Sequence, residues 1–541
     1  MNFITAKISV NRSTRKIVVY LLAAVLFFCL AFDGRLHWDE PGYLYVGGYL
    51  SIEQILEGQF PFHVEGFYLS RILHLLLIHT VVKVIGLGIA ALAAIVILYL
   101  FMLFAFSYFT YLILRELLPQ QHGLDVAVVV SMFIPLYLYL AFKTMPEIPG
   151  LLLIGIATFG LIRSMKQRTV MWLTVTAFSL AGVALMRNLM ALLYLSFIVA
   201  MVLCKRQQYP PFRLVQHAFI SGVSSLIIFY IALRVMGIGL GSYFEIASLL
   251  AEKKEPLVSL ILHIGLEGGV FFLALPLAFL SSQKKEAIFF AIWLLAATIP
   301  LPLLFEHIEA RYLAPNLIAF SGLIYLALDG STSRIIAWWQ RSKLLTASVG
   351  WLVLTAIFAF NMVGLMVMSH EVRVDQFQVV LARLDRLFGN ADYAILTPWS
   401  YTDFHYLRFV YPDRPVYSVY ATSSPGNVLT VKKNPNSFED HYYAGRMIRT
   451  LEELEGIPNA ELVYVGFEEN FPVANLRAIA CAVPAISLDT LIEKMSFLNH
   501  LSLSWMWDHP QLVFSEIVRY GHYVAYDVKI DQNPQSRVPA R

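Results

Sequence analysis

The sequence predicts an α-helical polytopic membrane protein that ends in a soluble α/β domain, and three observations predict it. Of 541 residues, 58% are hydrophobic and only 14% charged, where a soluble domain carries roughly a quarter charged; mean hydropathy is +0.65. Apolar runs of about the twenty residues needed to cross a bilayer recur along the first two thirds of the chain. After His370 charged residues, Asn, Pro and Tyr become frequent, and no later run is long enough to span.

The apolar runs place spans near 17–32, 88–114, 124–142, 147–163, 170–187, 189–204, 214–236, 257–281, 286–305, 311–328 and 344–368. That is about eleven transmembrane helices, an odd number, so the two termini lie on opposite sides. The first run follows Lys7, Arg12, Arg15 and Lys16 and has no small-residue cleavage site after it, so it reads as a retained span. Basic residues orient the set. The N-terminal cluster, Arg115, Arg163, Lys166, Arg168, Lys205, Arg206, Arg213, Lys284, Lys285, Arg334, Arg341 and Lys343 all fall on one side, which is therefore cytoplasmic. The loop 33–87 and the region after 370 are then extracytoplasmic, and the protein is expected as a multi-pass component of the plasma (inner) membrane.

The stretch 68–85 is apolar but carries Arg71, His74, His79 and Lys83. At about 100° per residue these four fall within half of a helix circumference, which suits a helix lying in the interface. Making it a span would invert every later loop against the charge bias. The chain thus divides into a membrane module, 1–369, and an extracytoplasmic domain, 370–541. In the latter, short apolar runs at 393–396, 416–420 and 462–465 alternate with helix-compatible stretches at 375–388 and 448–455, the pattern of a small α/β domain.

Composition also excludes. The net charge of +3 comes from basic residues at span ends and not from one basic face, so nucleic acid is no partner. Cys29, Cys204 and Cys481 are far apart and signal neither a disulfide framework nor a zinc site.

The polar residues on the expected external side are few. Asp39 and Glu40 lie in Leu36-His37-Trp38-Asp39-Glu40-Pro41-Gly42-Tyr43, just past the first span. Glu147 heads the fourth span, in Lys143-Thr144-Met145-Pro146-Glu147-Ile148-Pro149-Gly150. Arg187 and Asn188 form the short turn between the fifth and sixth spans. Glu306, His307, Glu309 and Arg311 open the tenth, in Glu306-His307-Ile308-Glu309-Ala310-Arg311-Tyr312-Leu313-Ala314-Pro315. Carboxylates and arginines at one membrane face suit group transfer from a lipid-linked phosphate. A carboxylate can take the proton of an acceptor hydroxyl, and an arginine can hold the departing phosphate through charge-assisted bonds.

Plainer readings fit each element. Asp39-Glu40 could open a helix at Pro41, Glu147 could complement the positive end of its own helix, and Arg187 could reach to headgroups. The Glu306–Arg311 group could be an ion-pair cluster or hold a metal through His307.

The order of these features resembles the GT-C superfamily of polyprenyl-phosphate-sugar-dependent glycosyltransferases. Its protein O-mannosyltransferase-like and lipid A aminoarabinose transferase-like branches are nearest. The likeness rests on the Asp-Glu…Tyr loop after a first span, on Met145-Pro146-Glu147-Ile148-Pro149, and on Arg311-Tyr312-Leu313-Ala314-Pro315, which resembles an Arg-Tyr-Leu-x-Pro signature. It covers roughly residues 15 to 330. Where members often show Tyr-Pro-Pro, this chain has Phe67-Tyr68-Leu69-Ser70, so the branch and the sugar stay open.

The resemblance implies a GT-C-like fold and an inverting glycosyltransferase that moves a sugar from a polyprenyl-phosphate donor to a glycan, lipid or protein acceptor at the external face. It implies Asp39 as the activating carboxylate with Glu40 assisting. Arg311, Tyr312, Arg187, Glu147 and His307 are the expected donor-phosphate and substrate-binding set. No soluble cofactor and no resident metal is expected. The rival from another class is a transporter or flippase for a lipid-linked or anionic substrate, which would place charges at mid-depth and often show inverted repeats. A third reading is a non-catalytic scaffold whose external domain recruits a partner.

Overall fold

The computed structural model describes residues 27, 35–37, 40–57, 70–119, 123–167, 169–205, 207–241, 273–300, 313–314, 316–339, 371–389, 393–397, 401–419, 446–448, 450–457, 461–467, 511–520 and 523–531. The expected spans 17–32, 257–281 and 344–368 lie wholly or mostly outside them.

Strand β1 (Arg35–His37) and helix α1 (Glu40–Tyr49) open the description, followed by α2 (Ile52–Leu56) and α3 (Ile72–Ile85). Four helices of the bundle come next: α4 (Ile89–Leu117), α5 (Leu124–Ser131), α6 (Pro135–Leu140) and α7 (Glu147–Gln167). They are followed by α8 (Val170–Cys204), α9 (Pro211–Val235), α10 (Ala274–Ala278), α11 (Lys284–Thr298) and α12 (Leu317–Trp339). Among the described residues, four stretches are long and apolar enough to cross a membrane: Ile89–Leu117, Glu147–Gln167, Val170–Arg187 and Pro211–Val235. Their outer faces are apolar too. On α9, Phe219 and Leu226 stay exposed, as side chains facing lipid do, because burial against lipid needs no protein partner.

The stretch α8 is a hairpin. Arg187 breaks its helical backbone with φ −160° and ψ 88°. A straight helix of that length would be about 52 Å long, yet both flanks return to the same end of α4. Before it, Lys166 Nζ donates to Glu116 Oε2 at 2.6 Å; after it, Lys205 Nζ donates to the Leu117 carbonyl at 3.0 Å. The expected fifth and sixth spans, joined by the tight Arg187-Asn188 turn, are therefore two antiparallel legs. Arg163 joins Glu116 at 3.0 Å and Lys205 reaches Glu286 at 3.4 Å. Three of the residues grouped by charge bias, Arg163, Lys166 and Lys205, thus gather at one end of the bundle.

Three expectations are corrected. The span 124–142 is two short helices, because Pro135 cannot continue a helix and pushes Ile134 to ψ 133°. Of the stretch 448–455 expected in a helix, Ile448 ends a strand and Thr450 is the cap, and the helix there is only Leu451–Glu455. On α3 the four polar residues do not share one outward face. Lys83 is exposed, but Arg71 and His74 are buried in the bundle. At 14 residues α3 is about 21 Å long, shorter than a bilayer core.

The C-terminal region contains β2 (Glu371–Arg373), α13 (Val374–Phe388), β3 (Tyr393–Thr397), α14 (Tyr401–Val410), β4 (Val416–Val419) and β5 (Met447–Ile448). It continues with α15 (Leu451–Glu455), β6 (Glu461–Phe467), β7 (Leu512–Tyr520) and β8 (Tyr523–Ile530). The runs expected as strands at 393–396, 416–420 and 462–465 are β3, β4 and β6. The sheet order is β5-β4-β3-β6-β8-β7. The first four strands are parallel and the β7–β8 hairpin antiparallel. The strand earliest in sequence is central, so the sheet winds outward both ways, a doubly wound α/β arrangement. The α/β class of this domain is as the alternating pattern indicated.

Candidate functional site at the Arg187 end of the bundle

Glu147 starts α7 and Lys166 lies near its end, so about 30 Å of helix separates Glu147 from the basic cluster. The segment leading to it, Met145-Pro146-Glu147-Ile148-Pro149, places prolines where a helix start tolerates them. The antiparallel second leg brings Arg187 alongside. Gly150 sits at this crossing, and a Cβ there would lie 2.8 Å from Met190 Sδ. Two helices that approach this closely set Arg187 Nε 3.2 Å from Glu147 Oε1, with side chains 7% and 0% exposed.

Helices α1, α3 and α4 contribute the neighbouring groups. His74, fully buried, shares its Nδ1 with the Tyr99 hydroxyl at 2.7 Å. Tyr43 of α1 meets the His74 ring edge-on at 4.8 Å between centroids. The Arg71 guanidinium lies 5.8 Å from the Tyr43 ring centre, and its Nη1 donates to Ser70 Oγ at 3.3 Å. Burial, reinforced by the positive field of Arg71 and Arg187, holds the His74 imidazole well below its ordinary pKa. His74 is therefore neutral at physiological pH. Its Nε2 has no hydrogen-bond partner among the described residues. Lys143 is buried as well, with Nζ 5.3 Å from the Tyr139 ring centre.

The expected residues fare differently. Glu147 and Arg187, distant in sequence, meet as an ion pair. Glu40 is the first residue of α1, so the Asp-Glu motif does lead into a helix, one residue earlier than Pro41; the Glu40 side chain lies outside the described residues. Tyr43 sits one helical turn beyond Glu40, which puts the start of α1 beside the Arg71–His74 group. Asp39, His307, Arg311 and Tyr312 lie outside the described residues. Among the described residues, no three His, Cys, Asp or Glu side chains gather as a metal site.

Arg71, His74 and Tyr43 are the site residues that reading the sequence missed. A signal was present: Arg71, His74, Leu75, Ile78 and Val82 have the spacing of one helical stripe, and His74, Leu75, Ile78 and Val82 are all buried. Arg71 caps that stripe at 4% exposure. Chemically, the cluster offers guanidinium donors suited to a phosphate, a neutral imidazole, and a carboxylate that orients one of the guanidinium groups.

Comparison with known proteins gives structural neighbours only. No protein-family model matches the chain, and no curated protein matches it. Among solved structures, ArnT from Cupriavidus metallidurans bound to undecaprenyl phosphate is similar, with 12% identity and a TM-score of 0.55 over 95% of this chain and 98% of that one. The apo structure of the same protein has 14% identity and a TM-score of 0.51 over the same shares. An Archaeoglobus fulgidus oligosaccharyltransferase tethered to an acceptor peptide aligns at 13% identity and a TM-score of 0.43, over 94% of this chain and 74% of that one. The ArnT likeness covers the membrane module and the C-terminal domain together, so this chain shares that protein's fold, a helical membrane module followed by an α/β domain.

Proposed function

We propose that the chain is an inverting glycosyltransferase. It takes a sugar from a polyprenyl-phosphate carrier at the external face of the plasma membrane and passes it to a glycan, lipid or protein hydroxyl. The observation that carries this reading is the continuous group at one end of the bundle. It runs from the start of α1, through Tyr43, to buried Arg71 and His74, and on to the Glu147–Arg187 pair. Support comes also from the fold, shared with an ArnT whose structure holds undecaprenyl phosphate.

In this mechanism Asp39 accepts the proton of the acceptor hydroxyl, with Glu40 beside it. The acceptor oxygen bonds to the anomeric carbon from the face opposite the carrier. The bond from that carbon to the phosphate oxygen breaks, and the electron pair leaves with the carrier phosphate. Arg71 and Arg187, together with Arg311 and Tyr312, receive the phosphate, and Glu147 keeps Arg187 in register. His307 contributes to substrate binding. The leaving group is already a stable anion, so no soluble nucleotide is needed.

Replacing Asp39 with Asn tests the proposal. Transfer from a synthetic polyprenyl-phosphate sugar should vanish while expression, folding and undecaprenyl phosphate binding persist. Undiminished transfer by Asp39→Asn would sink the role given to Asp39.

A further inference from the structure

The C-terminal domain touches the membrane module at a telling place. Strand β1 ends at His37 and pairs antiparallel with β2, Arg35 opposite Arg373, Leu36 opposite Val372 and His37 opposite Glu371. Helix α1 begins at Glu40 and packs against α14. Only Trp38 and Asp39 separate these two elements. Covalent geometry allows at most about 11 Å between the His37 and Glu40 Cα atoms. Both anchors of that short link are held by the C-terminal domain.

The second anchor is built for close contact. A Cβ on Gly48 would lie 2.8 Å from Phe409 Cε2, and one on Gly47 would lie 2.7 Å from Ile78 Cγ2. Helix α1 is thus wedged between α14 on one side and α3, which carries Arg71 and His74, on the other. At the α14 contact the Arg408 guanidinium stands 4.9 Å from the Tyr49 ring centre, 5.3 Å from that of Tyr45 and 5.5 Å from that of Phe404. The Tyr49 hydroxyl donates to the Arg408 carbonyl, and the Tyr45 ring lies 4.4 Å from the His405 ring. An arginine fork enclosed by three aromatic faces is a directional contact, because the attraction falls off once the cation leaves the ring faces. Helix α14 follows β3, the central strand of the domain's sheet, so α1 is referenced to that sheet.

We infer that the C-terminal domain positions the start of helix α1 at Glu40, with Arg408 as its principal positioning residue. This rests on the reading of Asp39 as the base. The domain is then a structural part of acceptor activation and not an appendage. Arg408 touches neither donor nor acceptor; it acts through α1.

The full-length protein in lipid nanodiscs tests this by hydrogen exchange and by the rate at which a carbodiimide modifies Asp39 across pH. Arg408→Ala should speed exchange over 40–49 by about tenfold or more, without the same change over 461–467. It should also shift the pH profile of Asp39 modification, while leaving undecaprenyl phosphate affinity within about twofold of the parent. Arg408→Lys, which keeps the charge but not the planar fork, should fall between. Should Arg408→Ala unfold the domain, Tyr49→Phe removes a single oxygen from the same contact and must give a smaller shift in the same direction. Unchanged exchange over 40–49 together with an unchanged Asp39 profile in both variants overturns the inference. Active Asp39→Asn would instead overturn the role of Asp39, whatever the exchange data show.

Discussion

Glu147 Oε1 lies 3.2 Å from Arg187 Nε, and the bundle shields both side chains from water. The partners belong to α7 and to the turn of the α8 hairpin, so their contact reports that these two elements are correctly docked. Two charges withdrawn from water are costly unless paired, and removing one partner leaves the other uncompensated.

Single substitutions Glu147→Gln and Arg187→Gln should therefore each destabilise the protein by about 3–5 kcal/mol. The double substitution should cost clearly less than their sum, with a coupling of about 1–3 kcal/mol. Denaturant or thermal unfolding of purified protein in one detergent gives the cycle. Strict additivity would show that the pair does not act as a unit.

Acid should weaken the fold through His74. Its folded pKa lies well below the ordinary value because it is buried and faces Arg71 and Arg187. Above about pH 6.5 both folded and unfolded forms are neutral and the group is silent. As pH falls below that value the unfolded chain takes up a proton and the folded one does not, so stability drops by about 1.4 kcal/mol per pH unit until the folded pKa is reached. His74→Gln should flatten this slope between pH 6.5 and 5. A slope that persists unchanged in the variant removes His74 as its source.

Phosphate recognition is expected to depend on Arg71 more cleanly than on Arg187, because Arg187 also holds Glu147. Arg71→Gln should weaken binding of undecaprenyl phosphate by about 10–100-fold, the loss of one charge-assisted contact of about 1.5–3 kcal/mol. Arg71→Lys should recover part of it. Titration of the lipid into nanodiscs with fluorescence detection reads the effect, and equal affinities across the three proteins would exclude Arg71 from the site.

The opposite end of the bundle supplies a control. Lys205 Nζ donates to the Leu117 carbonyl at 3.0 Å and lies 3.4 Å from Glu286 Oε1. Lys205→Met should lower stability by about 1–3 kcal/mol, through the carbonyl and carboxylate it leaves without a donor. Undecaprenyl phosphate affinity should stay unchanged. Loss of binding in this variant would mean that the two ends of the bundle are coupled.

The reach of sequence reasoning follows from the range of the forces involved. Span positions such as α4, α7 and α9 were legible because the bilayer imposes a length and a hydropathy on each span separately. The reversal at Arg187 was legible because a basic-polar pair interrupts an apolar run too long for one crossing. The break before Pro135 was legible in principle, since proline restricts its own backbone and that of Ile134, but continuous hydropathy concealed it. Helical spacing suggests an interfacial setting for Arg71 and His74, and the structure buries both in the bundle. Their helical spacing says which residues share a stripe, but not whether that stripe meets water, lipid or another helix.

By itself, then, the sequence determined a polytopic membrane module, clusters of basic residues at span ends and an α/β region, each written in local composition and periodicity. Only the tertiary structure decided that Glu147 pairs with Arg187, that Arg71, His74 and Tyr43 adjoin that pair, and that β2 and α14 hold the chain on both sides of Asp39. Those outcomes depend on contacts between elements far apart along the chain. The packing of glycine-lined helix faces and the pairing of β1 with β2 choose among many arrangements that the same apolar pattern allows.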